Sequence, residues 1–283
     1  SIIMPLVICL LGRPVHANEP IIRKWLLSLS KFSAEGQPEE IKIVLGWLLD
    51  TRRLLVSLLE YKHSVWTQQI QAVLNDSKAT LAELENIKGR LTHLACVDRA
   101  ARHFLGRINH MVTKLNRQNV NRTKQKFRLP PEVTQDLRLM LKFIDRARSG
   151  ISMSLLVHRS IDTYLRTDAC FFGLGWLCWC CGRAYRLEIP CERWLTKPQN
   201  FMEFLGCCAA LREHPPFGVD TCVCCQTDNT NAEGWLHKTN FHTDPEKIAL
   251  ARCLGEHQIQ HNYYHTSPLL LGTATHSSHA LSR

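Results

Sequence analysis

The 283-residue chain is predicted to be an α+β protein, helical in its middle and built on a sheet in its C-terminal half. Three observations predict this. Apolar residues recur at three- and four-residue spacing through most of residues 64–148, the period of a helix with one buried face. From Ile151 onward the apolar runs shorten to strand length and are punctuated by Gly, Pro and Asn. A 45% share of hydrophobic residues is enough for well-packed cores in one large or two ordinary domains.

The elements follow in order. The apolar run from Ile2 to Leu11 is too short to span a bilayer and lacks a basic leader and a cleavage site, so it reads as a buried strand, with a signal-peptide core as the lesser alternative. Residues 45–59 read as paired strands around Asp50-Thr51-Arg52. Residues 64–75, 81–96 and 99–116 read as helices. Residues 118–131 are polar and basic and end in Pro130-Pro131, which makes them a linker ahead of an amphipathic helix over 131–148. Residues 164–176 read as one buried strand whose glycines allow a bend. A helix over 201–212 follows Pro198 and Asn200. The apolar run 219–225 reads as a further strand, followed by a helix from about Asn229, which is placed to cap it. Trp47, Trp66, Trp176, Trp179, Trp194 and Trp235 stand in apolar surroundings and are expected to pack.

Three carboxylates carry the chemistry. Asp168 lies in Thr167-Asp168-Ala169-Cys170, Glu203 in Asn200-Phe201-Met202-Glu203-Phe204, and Asp228 in Gln226-Thr227-Asp228-Asn229-Thr230. A single acid is usually solvated surface. Two acids attached to core strands, with a helical Glu between them, are placed to converge on one point. An open set of carboxylates suits magnesium, which prefers oxygen ligands, keeps several waters and shares its shell with substrate phosphate. Two such ions about 3.5 to 4 Å apart activate a water and stabilise the leaving oxygen of a phosphodiester.

The chain resembles the C-terminal part of a retrotransposon reverse transcriptase, of the long-terminal-repeat or tyrosine-recombinase-element type. Val44-Leu45-Gly46-Trp47-Leu48-Leu49-Asp50-Thr51-Arg52-Arg53 with Leu58-Leu59-Glu60-Tyr61-Lys62 is similar to the stretch that closes the polymerase palm. Leu84-Glu85-Asn86-Ile87-Lys88-Gly89-Arg90-Leu91-Thr92-His93 with Ala101-Arg102-His103-Phe104-Leu105 is similar to the thumb. Thr167-Asp168-Ala169 through Gly175, Met202-Glu203-Phe204 and Asp228-Asn229-Thr230-Asn231-Ala232 match the ribonuclease H motifs. The resemblance implies a palm remnant over 1–62, a helical thumb and connection with a basic linker over 63–150, and a ribonuclease H-like mixed five-stranded sheet with flanking helices over 151–283. It also implies an intracellular setting, cytoplasmic or nuclear, and the run from Ile2 then reads as a palm strand.

Departures from the family pattern qualify the expected activity. No paired-Asp polymerase motif occurs in the chain, so the polymerase portion would be a missing N-terminal partner. At the last nuclease motif the chain carries Gly272, Thr275, Ser278, His279, Leu281 and Ser282, and His279 replaces the fourth metal-binding Asp. Neutral imidazole is a softer ligand than carboxylate and brings no negative charge to a magnesium site, so weak occupancy of a second metal and poor cleavage are expected. The start at Ser1 without Met is read in the same direction, towards a fragment or decayed reading frame.

The charge distribution points to a polyanionic partner. Residues 1–150 hold 24 basic against 13 acidic residues, and residues 99–148 hold 13 against 3, whereas the remainder is near neutral. Arg99, Arg102, Arg107, Lys114, Arg117, Arg122, Lys124, Lys126 and Arg128 are candidates for neutralising a phosphate backbone, which gives salt-sensitive affinity and little sequence information. A basic run is also an ordinary solvated helix face.

The 13 cysteines raise zinc as a rival. Cys178-Trp179-Cys180-Cys181 and Cys222-Val223-Cys224-Cys225 each contain a C-x-x-C spacing, with Cys191, Cys207, Cys208 and Cys253 nearby. Against zinc, both runs read as strands, where neighbouring side chains face opposite ways, and neither shows a Gly-rich knuckle. Buried cysteine is also an ordinary small hydrophobe. An odd count without a secretory signal argues against a disulfide framework. His257, His261 and His265 share a helical spacing, but no flanking acid completes a metal site.

The expected function is thus magnesium- or manganese-dependent hydrolysis of the RNA strand of an RNA·DNA hybrid, with Asp168, Glu203 and Asp228 holding the metal and His279 in the fourth position. A catalytically inactive nucleic-acid-binding remnant and a zinc-stabilised interaction module are the alternatives. No membrane partner is expected.

Overall fold

The computed structural model describes residues 39–118, 120–153, 161–189, 196–214, 221–238 and 244–267. The run from Ile2 to Leu11, Cys191, Trp194 and the motif containing His279 lie outside these residues. The chain divides into two compact units, Ser1–Glu40 and Ile41–Arg283. Only Glu39 and Glu40, both exposed, are described in the first. The second mixes helix and sheet throughout, an α+β architecture.

It begins with a meander of β1 (Ile41–Val44), β2 (Trp47–Asp50) and β3 (Leu55–Leu58), all antiparallel. Leu45 and Gly46 both take positive φ, 50° and 80°, which gives the two-residue connection the twist its strands require. The helices α1 (Glu60–Asp76) and α2 (Leu81–Val97) follow, separated by the short β4 (Lys78–Thr80). Thr80 starts α2 with a reciprocal capping box: its hydroxyl accepts from the Glu83 amide while its own amide donates to the Glu83 carboxylate.

The single helix expected over 99–116 is a 3-10 turn, Arg99–Phe104, leading into α3 (Leu105–Arg117). Asp98 caps the turn by accepting from the Ala100 amide, and that alternative hydrogen bond delays the α-helix. The expected linker is partly ordered as well: β5 (Lys126–Arg128) pairs with β4. Pro131 occupies the first turn of α4 (Pro131–Ser149), where its missing amide proton costs nothing. The strand β6 (Ile151–Ser152) then returns the chain to β3.

The larger sheet has the order β11-β10-β7-β8-β9. The expected single strand over 164–176 is a hairpin of β7 (Thr163–Cys170) and β8 (Gly173–Cys178), turning at the exposed Phe171 and Phe172. The next strand, β9 (Ala184–Glu188), is antiparallel to β8. The helix α5 (Gln199–Glu213) precedes β10 (Cys222–Gln226), which runs parallel to β7. After α6 (Thr230–Lys238) and α7 (Pro245–His261), β11 (Tyr264–Thr266) lies parallel to β10. A mixed sheet of this kind needs crossovers, and the helices supply them. No described helix is long and apolar enough to cross a membrane.

One core cluster runs through both halves, including Leu84, Leu91, Phe104, Phe143, Ile144, Leu165, Phe204 and Leu254. Packing is therefore continuous across residue 150, where the proposed boundary lies. The close approach of α7 to the middle of the chain requires Gly255, where an added Cβ would stand 3.2 Å from the Phe104 ring. Trp47, Trp66 and Trp176 are buried as expected, whereas Trp179 is 51% exposed, with Arg166 over its ring at 4.4 Å.

The same junction holds a buried ion-pair cluster. Asp136 on α4 accepts two bonds from Arg107 of α3, at 2.5 and 2.6 Å, and two from Arg252 of α7, at 3.0 and 2.8 Å. All three side chains are largely buried. Removing the carboxylate strands two desolvated guanidinium groups, and Asp136→Ala is expected to cost about 3 to 5 kcal/mol. Urea unfolding midpoints of the variant and parent chain check this.

Candidate metal centre and basic face

Asp168 sits near the end of β7, opposite Gly175 of β8, and is buried. Glu203 projects from the second turn of α5, which packs on β7 and β8. Asp228 follows β10 in the connection to α6 and is half-buried. Two ties bring these segments together. The Thr167 hydroxyl donates to the Gln226 carbonyl at 3.2 Å, joining the end of β10 to β7. The Asn229 side-chain Nδ2 donates to the Asn200 Oδ1 at 2.8 Å, joining the start of α6 to the first turn of α5. Asn229 also caps α6, accepting from the amides of Asn231 and Ala232.

Glu203 is only 4% exposed. Its Oε1 accepts from the Gln199 side chain at 2.9 Å and from the Ala169 amide at 3.4 Å. Gln199 also donates to the Ala169 carbonyl, which locks the first turn of α5 to the strand carrying Asp168. Oε2 is buried without a hydrogen bond among the described residues. Burial, then the neighbouring Asp168 charge, then Asp228, outweigh the two hydrogen bonds and push the Glu203 carboxyl up to about 8. Glu203 thus lies within the field of both other acids.

The three carboxylates do not bring one oxygen each within 4.8 Å of one another as they stand, but Glu203 keeps a buried, unsatisfied oxygen and an all-oxygen donor set suits a hard divalent cation. Its positive charge would reverse the repulsion that now keeps the Glu203 proton in place. The fourth position, His279, falls outside the described residues. Gln199 was not singled out from the sequence, although its place four residues before Glu203 on one helix face was a usable signal.

The basic candidates separate by environment. Arg99, Arg102, Lys114, Arg117, Arg122, Lys124, Lys126 and Arg128 are all exposed. Arg122 and Lys126 are paired with Glu85 and Asp76. Arg107 requires correction: its side chain is 10% exposed and committed to Asp136, so it serves to tie the core together even where it lines a cleft beside α3. An open cleft of about 670 Å³ runs between α3, β5 and the starts of α4 and α7, with Lys114 and Arg128 among its lining residues. Pro245 and Ile248 line it from the first turn of α7, while Glu246 beside them pairs with Lys197, two residues ahead of Gln199. The start of α7 thus lines the cleft and pairs with a residue just ahead of α5.

The histidine series does not form one helical face, because α7 ends at His261 and Asn262 turns the chain with φ at 48°. His265 is buried in β11 against Gln258 at 2.8 Å. The reading of both C-x-x-C runs as strands holds for Cys222–Cys225 only. In the other run the strand stops at Cys178, and residues 179–182 form the turn to β9.

No protein-family model and no curated protein matches the chain. Among solved structures, a foamy viral protease-reverse transcriptase in complex with double-stranded DNA aligns over 82% of this chain at 11% identity and a TM-score of 0.27. The chain covers 38% of that protein's length.

Glu203 makes the stability of the metal-free protein pH-dependent. From about pH 4.5 the unfolded chain ionises this group while the folded chain does not, so stability falls as pH rises towards 8 and levels off above it. The loss is on the order of a few kcal/mol. Chelator-treated Glu203→Gln is expected to show a flatter profile between pH 5 and 8 in denaturant titrations, and an unchanged slope would contradict this protonation state.

Proposed function

We propose that the chain is a retroelement reverse transcriptase fragment whose C-terminal part hydrolyses the RNA strand of RNA·DNA hybrids by a ribonuclease H-type, metal-dependent reaction. The observation that carries this reading is Glu203: a buried carboxylate with one unsatisfied oxygen, held by Gln199 and Ala169 within the field of Asp168 and Asp228. A fold gains nothing in stability from such a cluster, and perturbed carboxylates gathered at strand and helix ends favour a catalytic reading. The mixed sheet that carries Asp168 and leads into Asp228, with Glu203 on the helix packed against it, and the motif resemblance around each acid support the same assignment.

Asp168, Glu203 and Asp228 would hold Mg2+ or Mn2+, which lowers the pKa of bound water and stabilises charge on phosphate oxygens. Asp168 and Glu203 stand on a strand and a helix fixed against each other, and their side chains would rotate inward to share a cation. The Glu203 proton would pass to solvent when the cation binds, and the reaction supported there would be addition of water across one P–O bond of the RNA strand. Lys114, Arg128 and the other exposed cations of the middle segment would hold the hybrid through its backbone, with ribose 2′-hydroxyls marking the strand to be cut.

The sequence also favours a second outcome, a hybrid-binding remnant without cleavage, because His279 stands where the resemblance implies a fourth acid. A labelled RNA·DNA hybrid incubated with Mg2+ or Mn2+ separates the two. Under the proposal, Asp168→Asn and Glu203→Gln each reduce metal-dependent cleavage by at least 100-fold, roughly 3 kcal/mol of barrier, and His279→Asp raises it. Salt-sensitive binding with no cleavage by folded parent or His279→Asp protein would favour the remnant.

A further inference from the structure

A second cluster of ligating atoms lies at the other end of α5. Cys178 Sγ, Cys181 Sγ and an imidazole nitrogen of His214 all lie within 4.8 Å of one another. They come from three positions: the last residue of β8, the turn between β8 and β9, and the residue that ends α5. Cys178 is buried, His214 is half-buried and Cys181 is exposed, so the cluster opens to solvent on one side.

The turn has the form of a metal-binding knuckle. The Cys178 amide donates to the Arg183 carbonyl at 2.9 Å, closing the turn over residues 179–182. Gly182 follows Cys181 with φ at 66°, a conformation that a side chain would strain. Backbone amides of Cys181 and Cys180 point at the Cys178 sulfur, and that of Arg183 points at the Cys181 sulfur. Such amides stabilise thiolate. The Arg183 amide, reinforced by the Cys178 thiol, draws the Cys181 thiol below its ordinary range, whereas burial holds that of Cys178 above it. Burial also lowers the His214 pKa, favouring the neutral imidazole that binds metal. Tyr185, stacked on Trp176, meets the His214 ring edge-on and limits its orientations.

We infer that Cys178, Cys181 and His214 form a soft-ligand site for zinc, distinct from the carboxylate cluster and independent of the proposed nuclease activity. Tetrahedral zinc takes thiolate at about 2.3 Å and imidazole nitrogen at about 2.0 Å, so its ligand atoms stand somewhat closer together than the span seen here, a gap that small side-chain rotations close. Two thiolates and an imidazole neutralise the dication, both thiol protons pass to solvent, and a water takes the remaining position. The metal would pin the β8–β9 turn to the end of α5 and thereby help to fix the helix that carries Glu203. Thiolate and imidazole select zinc over magnesium, which prefers oxygen.

Cobalt(II) provides the test, since thiolate coordination gives it charge-transfer and visible absorption bands. The reduced full chain is titrated with cobalt, then with zinc, and its thermal midpoint is followed with and without chelator. The expected result is one equivalent of cobalt with thiolate bands, displaced by zinc, and a midpoint that falls on chelation. Cys181→Ser, at an exposed position where loss of folding is not expected, and His214→Asn should each weaken binding at least tenfold. Cys180→Ser, at the neighbouring exposed thiol outside the trio, should leave it unchanged. The inference is overturned if the folded parent binds no cobalt, if thiolate-bound cobalt survives unweakened in Cys181→Ser and His214→Asn, or if Cys180→Ser weakens it as much as they do.

Discussion

The position of the Glu203 carboxyl against β7 is the constraint on which the candidate site depends. A buried acid beside two others is costly to ionise, and the fold holds it in place through Gln199, which bonds both to Glu203 and to the Ala169 carbonyl. That side chain couples the register of α5 to the strand carrying Asp168. Slippage of α5 by one residue would turn Glu203 about 100° away from the strand. The apolar side chains around it, Phe201, Met202 and Phe204, are each at most 3% exposed and resist such slippage. Packing therefore positions the acid, while the acid itself opposes folding as it ionises.

The middle helices are part of the same body as the larger sheet. Asp136 ties α3, α4 and α7 through two arginines, and Gly255 lets α7 settle against Phe104. The first turn of α7 then reaches both the basic cleft and Lys197 ahead of α5. A polyanion bound along α3 and β5 would press on a framework connected to the carboxylates through packed helices and ion pairs. The strand pairing of β4 with β5 matters for the same reason, because it fixes Lys126 and Arg128 on an ordered ribbon.

Much of this was legible because it depends on local periodicity. The helices around residues 64–148 declare themselves through apolar spacing, Pro131 marks the start of one, and Asn229 announces its cap. The elements beside the three carboxylates were also legible, because apolar runs mark the two strands and Pro198 marks the helix. What escaped depends on partners distant in sequence. Residues 126–128 look like linker because their strand character comes from pairing with residues 78–80. Residues 164–176 look continuous because the turn at Phe171-Phe172 is apolar and carries no polar turn residue. Arg107 looks like any other basic side chain until Asp136 meets it. The C-x-x-C spacing of Cys178 and Cys181 is visible but reads as strand because it sits in an apolar run, and their third partner, His214, lies 33 residues beyond Cys181 with no local pattern to mark it.

The two ends of α5 have opposite chemical character. Glu203 lies near its N-terminus, where helix amides favour negative charge, and His214 ends it, where carbonyls favour a cation. Eleven residues separate them, about 16 Å along the axis. The first end gathers carboxylate oxygens and the second gathers thiolate sulfur and imidazole, so ligand hardness alone would sort a mixture of magnesium and zinc between them. Charge supports the same division. A dication at the carboxylate end would meet Glu203 in its protonated form and displace that proton, whereas two thiolates and a neutral histidine would balance one zinc completely. A metal at the sulfur end would thus add order to α5 without altering the charge at the carboxylate end, leaving that end dependent on its own cation.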